Sequence, residues 1–163
     1  MPDFSDPKPC IPDIVAPIDG DARCHAFVVQ FGRHFIPAPL PKNFRCRAPK
    51  ECFLNARKLA FAHPELAYVE GVGRRFCGQN YFPVTHAWCV RIDGTVIDST
   101  WIDPAGMEYF GVAFQTSFVR EFVRRNKLQL PLIDKNSLSK LSTLPETVWR
   151  HTLHNVTPFA PKL

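Results

Sequence analysis

Three residues of this chain have the types and spacing for nucleophilic chemistry. The segment HAWCVRIDGTVIDSTW, residues 86–101, opens with a histidine and carries Asp98 twelve positions later. Such a pair can hold an imidazole beside an orienting carboxylate, and it then needs a group to deprotonate. Cys52, in the stretch ECFLNARKLA, is the best candidate. It falls in the first turn of an expected helix, where unpaired N–H groups and the positive dipole end favour a thiolate. Its own N–H could donate to an oxyanion. In the roles that follow, Cys52 attacks, His86 carries the proton, and Asp98 fixes the tautomer and orientation of His86.

The element that must join His86 to Asp98 is a β-hairpin, and Asp93-Gly94 signals its turn. A two-residue loop pairs Ile92 with Thr95 and sends Asp98 to the face opposite His86. A three-residue loop, with Gly94 left-handed, pairs Arg91 with Thr95 and Trp88 with Asp98. Asp98 then becomes a diagonal neighbour of His86 on one face. Catalysis by this trio requires the three-residue loop or a bulge elsewhere.

Other side chains fall close to the trio in sequence. Asn55, one turn after Cys52, is expected to bind near the site, and Glu70 to stand beside it as an acid. Trp88 and Trp101 either line a cleft or fill the core, and Tyr109 with Phe110 can wall a groove. Asn55, Glu70, Trp88 and Tyr109 are accordingly the expected substrate-binding set. Cys77, after Arg74 and Arg75, is a weaker alternative nucleophile. His151 and His154 have a metal-compatible spacing but no acidic or thiol companion nearby, so no metal and no other cofactor is expected.

The 163 residues suit one domain, and 45% hydrophobic with 21% charged residues is ordinary globular composition. No run approaches the roughly 18–20 apolar residues of a membrane span. The acidic, Pro-rich start lacks the features of a secretory signal, so a cytoplasmic protein without membrane association is expected. Six cysteines without a C-x-x-C pair read as free thiols rather than disulfides or a closed zinc site. The H-x-E plus P-C-x-x-C combination of zinc nucleobase deaminases does not occur. A net charge of +5 permits an acidic partner without demanding one. Arg120, Arg124 and Arg125 read as a solvated helix face, so nucleic acid is not the expected partner.

Nine of the sixteen prolines fall in residues 1–49. This part reads as a Pro-rich wrap or arm over 1–48, with one strand at 22–32. A catalytic core follows over 49–127, then a C-terminal helical or irregular extension over 128–163. Within the core the pattern predicts a helix over 49–63 with Cys52, Ala56, Leu59, Ala60 and His63 on one stripe. A strand over 66–73, a loop or short strand over 74–85 and the hairpin come next. A helix over 109–127 is expected, faced by Phe114, Phe118 and Phe122. Short helical pieces complete the tail. The order gives an α+β domain with helices on an antiparallel sheet.

The order of ECFLNARKLA, Val69–Gly71, His86-Ala87-Trp88 and Asp98-Ser99-Thr100 resembles the transglutaminase-like branch of the papain-like cysteine enzymes. The match covers residues 50–101. The resemblance implies a catalytic Cys52, His86 and Asp98, a helix packed on a small antiparallel sheet, and no metal. It also implies a second oxyanion donor, for which Gln30, Asn43 and a backbone N–H are the alternatives. It implies a thiol-dependent hydrolase or acyltransferase that cleaves an amide, peptide or isopeptide bond of a protein or peptide substrate through a thioester. The alternatives are a protein-glutamine deamidase or transglutaminase, and a catalytically silent binding module of the same fold.

Overall fold

The computed structural model describes residues 21–77, 80–104, 107–127 and 131–153, with the side chains of 76, 77, 80 and 81 left aside. Cys10, the Cys77 thiol, His154 and the proline-rich segment ahead of Asp21 lie outside that description.

The elements run α1 (Ala22–Phe31), β1 (Arg33–Phe35), α2 (Cys52–Ala62), β2 (Ala67–Cys77), β3 (Asn80–Val90), β4 (Val96–Ile97), β5 (Glu108–Phe114), α3 (Thr116–Asn126), α4 (Leu138–Leu141) and α5 (Glu146–Trp149). The fold is α+β. Its five strands form one antiparallel sheet in the order β1-β5-β2-β3-β4. The sheet curls. Although β1 and β4 stand at opposite ends of that order, Ile36 just after β1 bridges Thr95 just before β4. Ile36 N–H donates to Gly94 O at 3.0 Å, and Val96 N–H to Ile36 O at 2.9 Å.

Curling gives the sheet two buried faces. The outer face carries Tyr68, Val72, Ala87, Cys89, Val112 and Phe114, packed under the helices. The inner face carries Val69, Trp88, Val90, Tyr109 and Ala113, closed by Phe35 and Val96. Alternate residues on each strand therefore enter different cores, which is the period-two geometry of a pleat. Phe27, Val28, Leu132, Leu141 and Trp149 join the outer core, so packing runs across the expected divisions at 48 and 127.

Two expected elements change type. The strand expected over 22–32 is α1. Asp21 caps it, accepting from Arg23 N–H at 2.8 Å, and Cys24, Phe27 and Val28 bury one helical face. The cap and that spacing outweigh the strand preference of the Val28-Val29 pair. The long helix expected over 109–127 is strand β5 followed by α3. Phe118 and Phe122 do stack, with ring centroids 5.1 Å apart, whereas Phe114 belongs to the strand. The 74–85 stretch, expected as loop or short strand, extends β2 and β3 into one long hairpin paired from Ala67↔Val90 to Cys77↔Asn80.

Candidate active site

The loop between β3 and β4 has three residues. Arg91 N–H donates to Thr95 O at 3.0 Å, Gly94 N–H donates to Arg91 O at 2.9 Å, and Gly94 is left-handed at φ 83°. Cys89 faces Ile97 and Val90 faces Val96. Carried one step past β4, this register sets Asp98 opposite Trp88 and diagonal to His86. His86 Nε2 and Asp98 Oδ2 stand 2.7 Å apart, both buried.

Asp98 is held on all sides. Its Oδ1 accepts from the N–H groups of Thr100 at 2.8 Å and Trp101 at 3.0 Å, a short turn that the carboxylate itself closes. Its Oδ2 accepts from Tyr109 O–H at 3.0 Å besides meeting His86. Burial and the neighbouring Asp98 charge push the Tyr109 phenol up, so it remains a donor. The imidazole lies flat against the Trp101 indole, with centroids 3.7 Å apart and planes inclined by 11°. Gly73 makes room for that stack, because a Cβ there would come within 2.4 Å of Trp101 Cζ3 and 3.4 Å of His86 Cδ2.

β4 pairs only with Cys89 and Val90, so beside His86 the sheet wall is open. The start of α2 stands against the segment that follows β4. Asn55 Nδ2 donates to Thr100 Oγ1 at 3.0 Å and to Ala48 O at 2.8 Å, and Arg47 N–H donates to Ser99 O at 2.8 Å. This contact brings Cys52, the first residue of α2, close enough to His86 for its thiol to act on the imidazole. Burial opposes an imidazolium, but the hydrogen bond to Asp98 and the nearby Cys52 thiol more than offset it and hold His86 above its ordinary value. With Nε2 given to Asp98, Nδ1 is the ring nitrogen left for the thiol. No side chain caps α2, and its first internal bond is Asn55 N–H to Glu51 O at 2.8 Å. The N–H groups of Cys52, Phe53 and Leu54 thus have no partner inside the helix.

The four residues expected to bind substrate are placed otherwise. Asn55 is buried and spends its amide tying α2 to Ala48 and Thr100. Trp88 fills the inner core, edge-on to Phe35 and Tyr109. Tyr109 is buried and acts on Asp98. Glu70 points to the outer core, where its carboxylate accepts from backbone N–H groups of Leu132 and Ile133. None of the four lines an open surface: Asn55 is held under the start of α2, and the other three lie on sheet faces that are both buried. Gln30 and Asn43 are exposed. Gln30 borders a cleft between α1 and the α4–α5 region. Sequence reasoning left undecided the stacking role of Trp101 and missed the link from Tyr109 to Asp98. Gly73 was the available signal for the first, since a glycine inside a strand often marks a close approach.

Among the described residues, no cluster of three or more His, Cys, Asp or Glu could hold a metal ion, and no helix is long and apolar enough to cross a membrane. Arg124 and Arg125 both pair with Glu121, and Arg120 lies over the Phe61 ring at 4.2 Å, so the basic face of α3 is partly engaged within the fold. Comparison with protein-family models, with curated proteins and with solved structures finds no match to the chain.

Proposed function

We propose that the chain is a thiol-dependent hydrolase or acyltransferase acting on amide or peptide bonds, with Cys52 as nucleophile, His86 as general acid and base, and Asp98 as the group that orients His86. The observation that carries this reading is a buried imidazole 2.7 Å from a buried carboxylate, with a cysteine that begins a helix close enough to act on the ring. Buried His–Asp pairs also occur as structural links; a cysteine on the other side of the ring, at a helix start, is what a nucleophile requires.

In this mechanism His86 takes the Cys52 proton as sulfur adds to the substrate carbonyl carbon. Unclaimed N–H groups at the start of α2 stabilise the oxyanion. The C–N bond then breaks, His86 protonates the leaving amine, and an acyl thioester remains on Cys52. Water or a second amine attacks the thioester while His86 accepts its proton. The C–S bond breaks and the thiol returns. With water as acceptor the reaction is peptide or isopeptide hydrolysis, the reading put first. With glutamine as donor it is deamidation or transamidation. The papain-like, transglutaminase-like architecture belongs to this proposal and is supported by a cysteine-led helix lying on an antiparallel sheet beside a His–Asp hairpin.

The test is turnover on a panel of peptide, isopeptide and glutamine-amide substrates, with hydroxylamine added to capture acyl groups. Turnover or hydroxamate formation that disappears in Cys52→Ala, with the circular dichroism spectrum retained, supports the proposal. Activity that survives in Cys52→Ala contradicts it.

A further inference from the structure

A cleft of about 330 Å³ lies next to the candidate site and is lined by chain neighbours of Cys52 and His86 rather than by those residues themselves. Its volume lies within the roughly 300–1,000 Å³ of small-ligand clefts. One wall carries Phe53 and Thr85, the chain neighbours of Cys52 and His86. The other is the loop from Pro131 to Asn136.

Glu70 holds that loop to the sheet. Leu132 N–H donates to both carboxylate oxygens, at 2.8 and 2.9 Å, and Ile133 N–H donates to Oε2 at 2.8 Å. Tyr68 O–H donates to Oε1 at 2.7 Å. The ionised carboxylate accepts from all of these groups through two oxygens, whereas an amide accepts through one atom only, so Glu70→Gln weakens the hold on Leu132 and Ile133. A fully buried carboxylate is costly unless so compensated, and its use here marks a segment whose position matters. The lining also narrows what the cleft accepts. Phe53, Pro131 and Ile133 are apolar, and Lys135, exposed at the loop, is the cation of the lining and disfavours a second one. The Asp134 carboxylate is turned back on Asn136 N–H at 2.6 Å and Ser137 N–H at 2.8 Å, which leaves it poorly placed to receive a cationic side chain.

We propose that Glu70 is a positioning residue which fixes the 131–136 loop as one wall of an acyl-donor subsite beside Cys52, and that this subsite takes an apolar side chain of a peptide substrate. The inference rests on the thiol chemistry proposed above and adds the substrate class. Glu70 never touches substrate. It acts through Leu132 and Ile133.

The test uses the full chain and the labelling rate of Cys52 read by mass spectrometry. The probes are peptidyl chloromethyl ketones with Leu, Ala, Lys or Asp beside the reactive group. Each rate is divided by the iodoacetamide rate of the same variant, which removes changes in thiol reactivity. In the wild type the Leu probe is expected to outpace the Ala and Lys probes about tenfold, the scale of one well-seated apolar group. That preference is expected to fall towards parity in Glu70→Gln, and also in Asn136→Trp, where a bulky ring at an exposed rim position fills the cleft. A wild type without Leu preference, or a preference that survives both variants, overturns the inference. If Glu70→Gln fails to fold, Asn136→Trp decides. A Cys52 that iodoacetamide modifies no faster than in the unfolded chain overturns the catalytic reading and this one with it. Fast iodoacetamide labelling without Leu preference overturns the subsite alone.

Discussion

Glu70 makes stability depend on pH in a way that can be worked from its surroundings. Full burial is the largest influence and raises the carboxyl from 4.5 to about 7, against the lowering effect of the Leu132, Ile133 and Tyr68 hydrogen bonds. Asp134 adds a smaller upward push. A carboxyl raised on folding binds its proton more tightly in the native state than in the unfolded chain, so between pH 4.5 and 7 unfolding releases protons. Native stability is then greatest below the unfolded value and declines as pH rises towards the folded one. The difference of about 2.5 units corresponds to about 3 kcal/mol across the whole window, most of it between pH 5 and pH 8. With a urea slope of about 2 kcal/mol/M, the midpoint should fall by about 1–1.5 M from pH 5 to pH 8. His86 contributes in the same direction, since a raised imidazole loses its stabilising effect as pH climbs through its folded value. The assay is therefore a difference: urea midpoints of wild type and Glu70→Gln at pH 5 and pH 8. The variant should lie close to wild type at pH 5, where the neutral Glu70 acid and the amide each present one accepting and one donating end, and should show a flatter decline to pH 8. Parallel pH profiles for the two proteins would refute the reasoning.

Substitutions at four further positions probe the hairpin and its supports. Gly71→Ala places a Cβ 2.2 Å from Phe110 O and 2.4 Å from Gly111 Cα, both backbone atoms that cannot swing aside, so a loss above about 3 kcal/mol is expected by urea denaturation. Gly73→Ala meets instead the half-buried Trp101 ring, which can move; about 1–2 kcal/mol should be lost, and the His86 Cδ2 proton should lose its ring-current shift in the NMR spectrum. Tyr109→Phe removes one donor from Asp98 and leaves the two backbone donors and His86, so about 1–2 kcal/mol should be lost with the fold intact. Gly94→Ala forces a Cβ into a left-handed position at φ 83°, expected to cost about 1 kcal/mol, with Gly94→Asn milder, both read from the thermal midpoint.

The parts of the molecule that were legible from sequence carry local, self-contained signals. Asp93-Gly94 sets its own loop, and the apolar stripe of α2 needs only one face to pack. Alternatives that depended on a loop length, such as the side on which Asp98 emerges, needed the register that the structure supplies. The misreadings share a cause in tertiary packing. Residues 22–32 combine a strand-like valine pair with helical spacing of Cys24, Phe27 and Val28, and the Asp21 cap tips the balance. In 109–127 a strand and a helix adjoin with only Gln115 between them, so the Phe spacing runs through the junction. Asn55, Glu70, Trp88 and Tyr109 are grouped as substrate-binding on their closeness in sequence to the trio, which says nothing of the face each one takes. Here the helices cover one face of the sheet and the curl closes the other, so the three on strands are interior, and Asn55 is buried where α2 meets Ala48 and Thr100. The curl depends on a bridge between Ile36 and Thr95, fifty-nine positions apart, and no local pattern announces it.

The central claim is that His86 activates Cys52, and the most direct measurement is the iodoacetamide alkylation rate of Cys52 against pH in wild type and in His86→Ala. Cys46, exposed and free, serves as the reference thiol within each molecule, and Cys89, whose thiol burial pushes far up, serves as the silent one. The account predicts that Cys52 reacts faster than Cys46 near neutral pH in the wild type and loses that advantage in His86→Ala while Cys46 is unchanged. A Cys52 rate at or below that of Cys46, with the same pH dependence in both proteins, would contradict it.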